Sequence, residues 1–304
     1  MPIAALPTQT VRAIGSSQAL TDSSSLVKEL LDNAIDASAT AIAVEISTNA
    51  LDDIRVKDNG RGISPDDRPL ICQRHCTSKI RDLDELRTIG GRSLGFRGVA
   101  LASAAEMSGR LTIATRIEGE ETASEMRFDR QGRIVRYACS QVAANCSQNA
   151  SERRTSLPMG TTVRVENFLE ALPVRRHAAE KFTSKTLAKI KKTLQAYALA
   201  RPRLRLSLKV VKAKDEKANW KYPINAGNSK VETNSFSAAV DIMGKKLTNQ
   251  CQWTRSVWCS SGQRIDSTSE VSEVENDQAC NYTFEAVLAK QDCGMFAYIK
   301  TSGA

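Results

Sequence analysis

A carboxylate and an amide lie one helical turn apart at Glu29 and Asn33, within the segment Val27–Ala37. At about 100° per residue, Glu29, Asp32, Asn33 and Asp36 share one side of a helix. The apolar residues occupy the other side: Val27, Leu30, Leu31, Ala34 and Ile35. The apolar side can pack on a sheet while the polar stripe faces a pocket, although an ordinary surface helix gives the same pattern.

A strand and a glycine turn follow about twenty residues later. Ile54–Asp58 alternates as a half-buried strand does, and Asn59-Gly60-Arg61-Gly62 is typical of a turn. Gly62 allows a backbone to approach a ligand closely, although a simple tight turn is compatible with the same residues. Taken with the helix, these groups could hold a magnesium nucleotide and activate a water beside it.

A glycine-rich run, Gly90 to Gly98, precedes a predicted helix. Such a loop offers backbone N–H groups to an anion, but many are only connectors. The sequence contains no Gly-x-x-x-x-Gly-Lys-Ser/Thr motif, and the glycine spacing does not fit a dinucleotide fingerprint. Phosphate binding of either of those kinds is therefore excluded.

These motifs together resemble the MutL family of DNA mismatch repair proteins, in the superfamily shared by gyrase, heat-shock chaperone ATPases and sensor histidine kinases. The resemblance covers about the first 200 residues. The opening segment and Leu172–Arg176 resemble the eukaryotic post-meiotic-segregation branch. The matching pieces are Glu29–Ala37, Asp58–Gly62, Thr77-Ser78-Lys79-Ile80, Gly95–Gly98 with Ala100-Leu101, Gly160–Val163 and Leu172–Arg176.

The resemblance implies a role for each matching position. Glu29 would be the general base, Asn33 the Mg²⁺ ligand, and Asp58 the acceptor of the adenine amino group in an ATP site. The other implied nucleotide-binding residues are Gly60, Gly62 and Thr162 around the base, Thr77, Ser78 and Lys79 near the phosphates and ribose, and Gly95, Phe96, Arg97 and Gly98 as a lid.

Three departures from the family pattern bear on activity. Val99 stands where the family usually has glutamate, next to the lid. No residue of this sequence is assigned to the lysine that the family's second domain supplies to the γ-phosphate. The family's C-terminal dimerisation domain is missing, so an N-terminal fragment or a shortened paralogue is expected.

The net charge of +9 is concentrated in one stretch, from Arg175 to Lys221. Such a stretch indicates contact with phosphate backbones, although a solvated helix face gives the same pattern. Aromatic residues are sparse among these bases, at Phe182, Tyr197 and Trp220 only, which does not favour base stacking, so sequence-tolerant contact with duplex DNA is predicted. The predicted contacts are Arg175, Arg176, Lys191 and Lys192.

The cysteines and the targeting signals limit the cellular compartments in which the chain is expected. The eight cysteines are scattered, and Cys72, His75 and Cys76 lack a second cluster at zinc-site spacing. No apolar run approaches the ~18 residues of a membrane helix, and Met1 to Leu20 does not read as a secretory signal. Cytosol and nucleus stay open on these grounds, and the family resemblance favours the nucleus.

The pattern predicts an α/β sandwich, a mixed β-sheet with helices on one face. The ATPase domain is predicted over 1–202, and a partial transducer-like domain of the ribosomal protein S5 domain 2 type over 203–304, with a new strand system from Arg203. The predicted helices are Val11–Leu20, Leu26–Ala37, Gly98–Ala105 and Thr183–Ala200. The predicted strands of the first domain are Ala41–Thr48, Ile54–Asp58, Leu111–Ile117, Glu125–Asp129, Ile134–Cys139 and Thr162–Val165.

Two functions are compatible with these features. The first is a slow ATPase that acts as a nucleotide-switched DNA clamp, with another MutL homologue as heterodimer partner and a MutS-type complex as mismatch sensor. The second is a non-hydrolysing accessory subunit of such a heterodimer. The intact Glu29 and Asn33 favour the first function, whereas Val99 and the unassigned lysine favour the second.

Overall fold

The computed structural model describes residues 4–81, 84–85, 93–95, 97–139, 158–213, 218–223, 235–249, 251–258, 264–265, 282–289 and 298–303. The chain divides into two compact units. The first comprises Met1–Leu194 and Leu204–Lys221, and the second Gln195–Arg203 and Tyr222–Ala304.

An eight-stranded sheet organises the first unit. Its strands are β1 (Ala41–Ser47), β2 (Asp53–Asp58), β3 (Arg110–Arg116), β4 (Ser124–Phe128), β5 (Ile134–Cys139), β6 (Gly160–Glu166), β7 (Arg205–Val211) and β8 (Trp220–Tyr222), in the order β5-β4-β3-β6-β2-β1-β7-β8. β1 pairs parallel with β7 and antiparallel with β2. The predicted mixed sheet is therefore confirmed.

The helices of this part are α1 (Thr8–Ala19), α2 (Ser23–Asp36), α3 (Ala100–Met107), α4 (Pro173–Lys181) and α5 (Thr183–Ala200). α2 begins with a capping box, in which Asp22 Oδ1 accepts from the Ser25 amide at 2.7 Å and Ser25 Oγ accepts from the Asp22 amide at 3.0 Å. A cap of this kind stabilises a helix by about 1 kcal/mol, which explains why α2 begins here. Sequence periodicity did not predict α4, in which no residue is buried.

The two faces of the sheet differ in burial. Ile42, Val44 and Ile46 of β1 are buried, whereas the alternate residues of the strand are partly exposed. Because successive strand residues point to opposite faces, one face forms the core. α2 packs on this face, and its apolar side is buried: Leu26, Val27, Leu30, Leu31, Ala34 and Ile35.

The strand at Arg205–Val211 corrects the prediction that a new strand system begins at Arg203. β7 continues the first sheet beside β1, with Ala41 opposite Arg205 and Ser47 opposite Val211. Parallel neighbours need a long crossover connection. The local pattern after Pro202 shows a strand but not its partner, which lies far away in sequence.

The second unit contains a four-stranded sheet and two short helices. The helices are α6 (Ser235–Met243) and α7 (Lys245–Thr248), and the strands are β9 (Cys251–Trp258), β10 (Arg264–Ile265), β11 (Tyr282–Ala289) and β12 (Tyr298–Gly303), in the order β10-β9-β11-β12. The described pairings are antiparallel. Its assignment as a transducer-like domain stays a prediction. None of the helices in the described ranges is long and apolar enough to cross a membrane.

Candidate functional site

A cavity of about 900 Å³ lies in the first unit, between α2, the ends of β2 and β6, and the loops before α3. This volume is at the upper end of the range for small-molecule sites. Ten of the predicted site residues line it: Glu29, Asn33, Asp58, Gly62, Thr77, Ser78, Lys79, Gly95, Arg97 and Gly98. Local motifs separated by up to about seventy residues thus meet at one place.

α2 presents Glu29, Asn33 and Asp36 to this cavity. Asp32, which the helical stripe also placed on this side, is instead buried and accepts from Lys28 Nζ at 2.6 Å. Burial raises the pKa of Glu29, and the negative charge of Asp32 raises it further, while the nearby cations oppose this. A carboxylate with a raised pKa beside a ligand-sized cavity is typical of a general base.

Asp58, at the end of β2, also lines the cavity. Its Oδ1 accepts from the amides of Gly60 at 2.8 Å and Thr161 at 3.2 Å. No hydrogen bond within the described residues reaches Oδ2, which leaves an acceptor for a ligand. Burial raises the pKa of this carboxyl, although the two amide donors act against the rise.

Glycines allow the chain to pass closely around Asp58. A Cβ on Gly60 would come within 2.7 Å of the Ala37 carbonyl oxygen, and one on Gly62 would overlap the Arg116 carbonyl oxygen. Gly62 also has a φ of 76°, which side-chain-bearing residues rarely adopt. Gly60 does not line the cavity, but its amide donates to Asp58. Its predicted effect on a nucleotide would therefore act through Asp58.

Thr162 corrects a second detail of the predicted base pocket. The cavity is lined by its strand neighbours Thr161 and Val163, and Thr162 lies on the opposite face of β6. The buried residues Val163 and Val165 set the alternation of this strand. That alternation could have identified Thr161 from sequence.

Asp36 organises the part of the cavity that Lys79 and residues 93–95 border, a role that the sequence analysis missed. Asp36 Oδ2 accepts from Lys79 Nζ at 2.5 Å, from Ser93 Oγ at 2.7 Å and from the Gly95 amide at 3.1 Å. Its Oδ1 accepts from the Leu94 amide at 2.9 Å. One carboxylate therefore fixes residues 93–95 and a lysine against α2, and these hydrogen bonds hold its pKa low despite burial.

The lysine at this point also contacts the predicted metal ligand. Lys79 Nζ donates to Asn33 Oδ1 at 2.9 Å, so a cation already lies between the Asn33 and Asp36 oxygens. Hard oxygen donors of this kind suit Mg²⁺. Asn33 Oδ1 is therefore an oxygen donor of the kind that Mg²⁺ takes.

The remaining predicted loop residues border the same space. The His75 amide donates to the Gly98 carbonyl at 2.9 Å, which joins the segment of Thr77 and Ser78 to the start of α3. A Cβ on Gly98, with φ of 59°, would overlap the Cys76 carbonyl oxygen. Arg97 lines the cavity with an exposed side chain, and the predicted lid residue Phe96 lies outside the described residues.

A zinc site at Cys72, His75 and Cys76 gains no support. In the described part of the chain, no group of three or more His, Cys, Asp or Glu side chains could hold a metal. Cys72 is buried, and burial raises the pKa of its thiol, which disfavours the thiolate that zinc needs.

The four predicted DNA contacts differ in their surroundings. Arg175 donates to the carbonyls of Ser17 and Thr21 at 3.0 and 2.9 Å. Arg176 donates to the Phe168 carbonyl and pairs with Asp52. Both guanidinium groups are therefore already held within the protein. Lys191 is half-buried and Lys192 exposed on α5, and neither makes an ion pair with a described residue.

The cavity lies in a segment that matches a known family. Residues 21–170 match the model described as histidine kinase-, DNA gyrase B-, and HSP90-like ATPase. Every residue that lines the cavity, apart from two at the end of α1, falls within this range. Residues 21–170 of the chain therefore form a domain of this ATPase family.

Relatives of known function narrow the class of protein within this ATPase family. The chain is 36% identical over 208 residues to the DNA mismatch repair protein MutL of Xanthomonas oryzae pv. oryzae (strain PXO99A), covering 68% of this chain and 30% of that protein. It is 33% identical over 205 residues to the mismatch repair endonuclease pms1 of Dictyostelium discoideum, covering 67% of this chain and 18% of that protein. The chain is thus a MutL and Pms1 homologue, as predicted, and spans under a third of these relatives' length.

Solved structures support the fold. The N-terminal domain of a DNA repair protein matches with a TM-score of 0.69 at 23% identity, covering 95% of this chain and 75% of that one. The Aquifex aeolicus MutL ATPase domain complexed with ADP matches with a TM-score of 0.50 at 20% identity, covering 89% and 77%. MutL and Pms1 relatives match this chain at similar identity, so the post-meiotic-segregation branch stays a prediction.

Proposed function

We propose that the cavity binds ATP with Mg²⁺ and hydrolyses it slowly, and that the chain is a nucleotide-switched, DNA-contacting subunit of a MutL-type mismatch repair complex. The observation that carries this proposal is the meeting of Glu29, Asn33 and Asp58 in one cavity. The first unit would be the ATPase domain, and the second unit the transducer-like domain.

The cavity offers groups that suit both the base and the phosphates of ATP. Asp58 Oδ2 would accept from the adenine amino group, while Oδ1 stays on the backbone amides that position it. Asn33 Oδ1 would hold Mg²⁺, and the backbone amides before α3 and Lys79 would face the phosphates. When bound, the ion neutralises charge on the β- and γ-phosphates.

Binding of the metal nucleotide would change the contacts of Lys79. Its ammonium now bridges the Asn33 and Asp36 oxygens. With Asn33 Oδ1 holding the metal, Lys79 would give up its contact with Asn33 and face the phosphates, and Asp36 would keep residues 93–95 in place. Glu29, with its raised pKa, would take a proton from the attacking water.

Val99 favours the second candidate, a subunit that holds ATP without hydrolysing it. Val99 is the N-cap residue of α3, makes no side-chain capping hydrogen bond, and lines the cavity. A glutamate at this position would place a carboxylate at a helix N-terminus, beside the lid. The missing carboxylate would weaken lid closure rather than nucleotide binding.

A Val99→Glu variant is therefore expected to hydrolyse ATP severalfold faster than the parent chain at unchanged ATP affinity. Steady-state phosphate release and an ATP titration measure the two quantities. Val135→Glu, an equal change at an exposed site on β5, is the matched control. Hydrolysis that stays at background in both the parent and Val99→Glu would instead support the non-hydrolysing subunit.

The DNA contact would be made by Lys191 and Lys192, because Arg175 and Arg176 are held by the protein itself. We expect Lys191→Glu with Lys192→Glu to flatten the dependence of duplex affinity on salt, since each phosphate contact contributes about −0.9 to the slope of log K against log salt. ATP affinity should not change. An unaltered slope would mean that the basic residues of α5 are only a solvated helix face and do not contact DNA.

Nucleotide switching and two protein partners complete the proposed function. ATP should raise the affinity for duplex DNA if nucleotide binding orders the basic surface. A second MutL homologue would complete the dimer, and a MutS-type complex would supply mismatch recognition. A nuclear location is proposed together with the post-meiotic-segregation branch.

A further inference from the structure

The face of the eight-stranded sheet opposite the cavity carries a row of basic side chains. Val56 and Asp58 of β2 and Thr161 and Val163 of β6 line the cavity. The residues that alternate with them point to the other face. That second face therefore displays Arg55, Lys57, Thr162 and Arg164, and it lies outside the proposed ATP site.

Strand register aligns these residues across the sheet. Arg136 lies opposite Arg127, Arg127 opposite Thr112, Thr112 opposite Arg164, Arg164 opposite Arg55, Arg55 opposite Glu45 and Glu45 opposite Lys209. Neighbouring strands are about 4.8 Å apart, so the row from β5 to β7 extends about 29 Å. Its charged members are five bases and one acid.

Two like-charged arginine pairs occur in this row, and only one of them is neutralised. Arg55 pairs with Glu45 at 3.1 Å, and Arg164 pairs with Asp53 at 2.9 Å. These acids belong to the same face and compensate the Arg55–Arg164 pair. Across the described residues, no acidic side chain forms an ion pair with Arg127 or Arg136.

The uncompensated pair is unfavourable for the fold itself. Like charges directly opposite each other on adjacent strands destabilise a sheet. Arg136 is exposed, and the buried Nε of Arg127 has no hydrogen-bond partner, so the protein does not hold this guanidinium through that atom. A local arrangement that opposes stability without a structural compensation is typical of a functional site.

The chemistry of the row indicates a phosphate-rich partner. No aromatic or large apolar side chain occurs in it, whereas protein-binding hot spots are rich in such residues. Guanidinium groups match phosphate geometry with two parallel donors. Lys57, in the adjoining row, and Lys209 add exposed ammonium groups without ion pairs among the described residues.

We propose that Arg127 and Arg136, together with Lys57 and Lys209 farther along the same face of the sheet, bind the phosphodiester backbone of duplex DNA. The row length of about 29 Å is close to one turn of the duplex, about 34 Å, so several phosphates can be reached. This surface is separate from Lys191 and Lys192, and it shares with the proposed function only the expectation that the chain contacts DNA.

The test is the salt dependence of duplex affinity for the full chain carrying Arg127→Gln and Arg136→Gln. Loss of two phosphate contacts should flatten the slope of log K against log salt by about 1.8. Thermal stability should stay equal or rise, because the like-charge repulsion is removed. Arg12→Gln, an exposed charge on α1, should leave the slope nearly unchanged.

Parallel measurements on Lys191→Glu with Lys192→Glu separate this inference from the proposed function. A slope flattened only by Arg127→Gln with Arg136→Gln supports DNA binding by the sheet surface and contradicts a DNA contact on α5. A slope flattened only by the α5 variant overturns the sheet surface and leaves the proposed contact intact. Parent-like slopes for both variants overturn both, and the row would then suit an acidic protein partner.

Discussion

The Glu29→Gln variant is expected to bind ATP as the parent chain does and to lose hydrolysis by about 10²–10⁴-fold, the usual contribution of a general base. The amide keeps the size of the side chain but cannot take a proton from water. It also removes the burial cost that raises the pKa of the carboxyl, so folding should not suffer. Single-turnover phosphate release, with ATP affinity measured beside it, checks both parts.

The pH dependence of ATP hydrolysis by the parent chain is a second test of Glu29 as the general base. The carboxylate is the active form, and burial raises its pKa. Hydrolysis should therefore fall with decreasing pH at a less acidic pH than an ordinary glutamate would give. Glu45→Gln, a similar change on the other face of the sheet, is the control. Equal turnover in parent and Glu29→Gln would assign the activity to a contaminant or to another base.

The Asp58→Asn variant is expected to lose ATP affinity by roughly 5–150-fold, since an unpaired buried polar group costs about 1–3 kcal/mol. The asparagine oxygen can still accept from the Gly60 and Thr161 amides, so the loop should keep its form. Its NH₂ group would then face the adenine amino group, donor against donor.

Guanine nucleotides provide an internal control for Asp58→Asn. Guanine carries an acceptor oxygen where adenine carries the amino group, so the asparagine NH₂ suits it better. The ratio of ATP affinity to GTP affinity should therefore fall by more than the ATP affinity falls by itself. A loss of both in equal measure, or a loss of thermal stability, would point to general damage and not to base recognition.

Local pattern was sufficient to predict the parts of the site that single elements carry. α2 gave Glu29 and Asn33 because helical periodicity fixes which residues share a face. β2 and its turn gave Asp58 and Gly62 because alternation and glycine chemistry act over a few residues. The structure brings these motifs together at one cavity, while their roles toward a nucleotide stay proposals.

Contacts between distant segments were not predictable in this way. Asp36 was recognised as part of the α2 stripe, but its hydrogen bonds to Lys79 and residues 93–95 depend on how loops fold back. β7 was recognised as a strand, but its parallel pairing with β1 spans most of the first unit. Arg175 and Arg176 were read as surface charges, and only packing shows that backbone carbonyls hold them.

The most direct test of the account is a titration of radiolabelled ATP on this chain, with and without Mg²⁺, beside the Asp58→Asn variant. The account predicts saturable binding at one site, tighter with Mg²⁺ and weakened by the substitution. Binding that is absent in the parent, or that is the same in parent and variant, would contradict the assignment of this cavity as an ATP site.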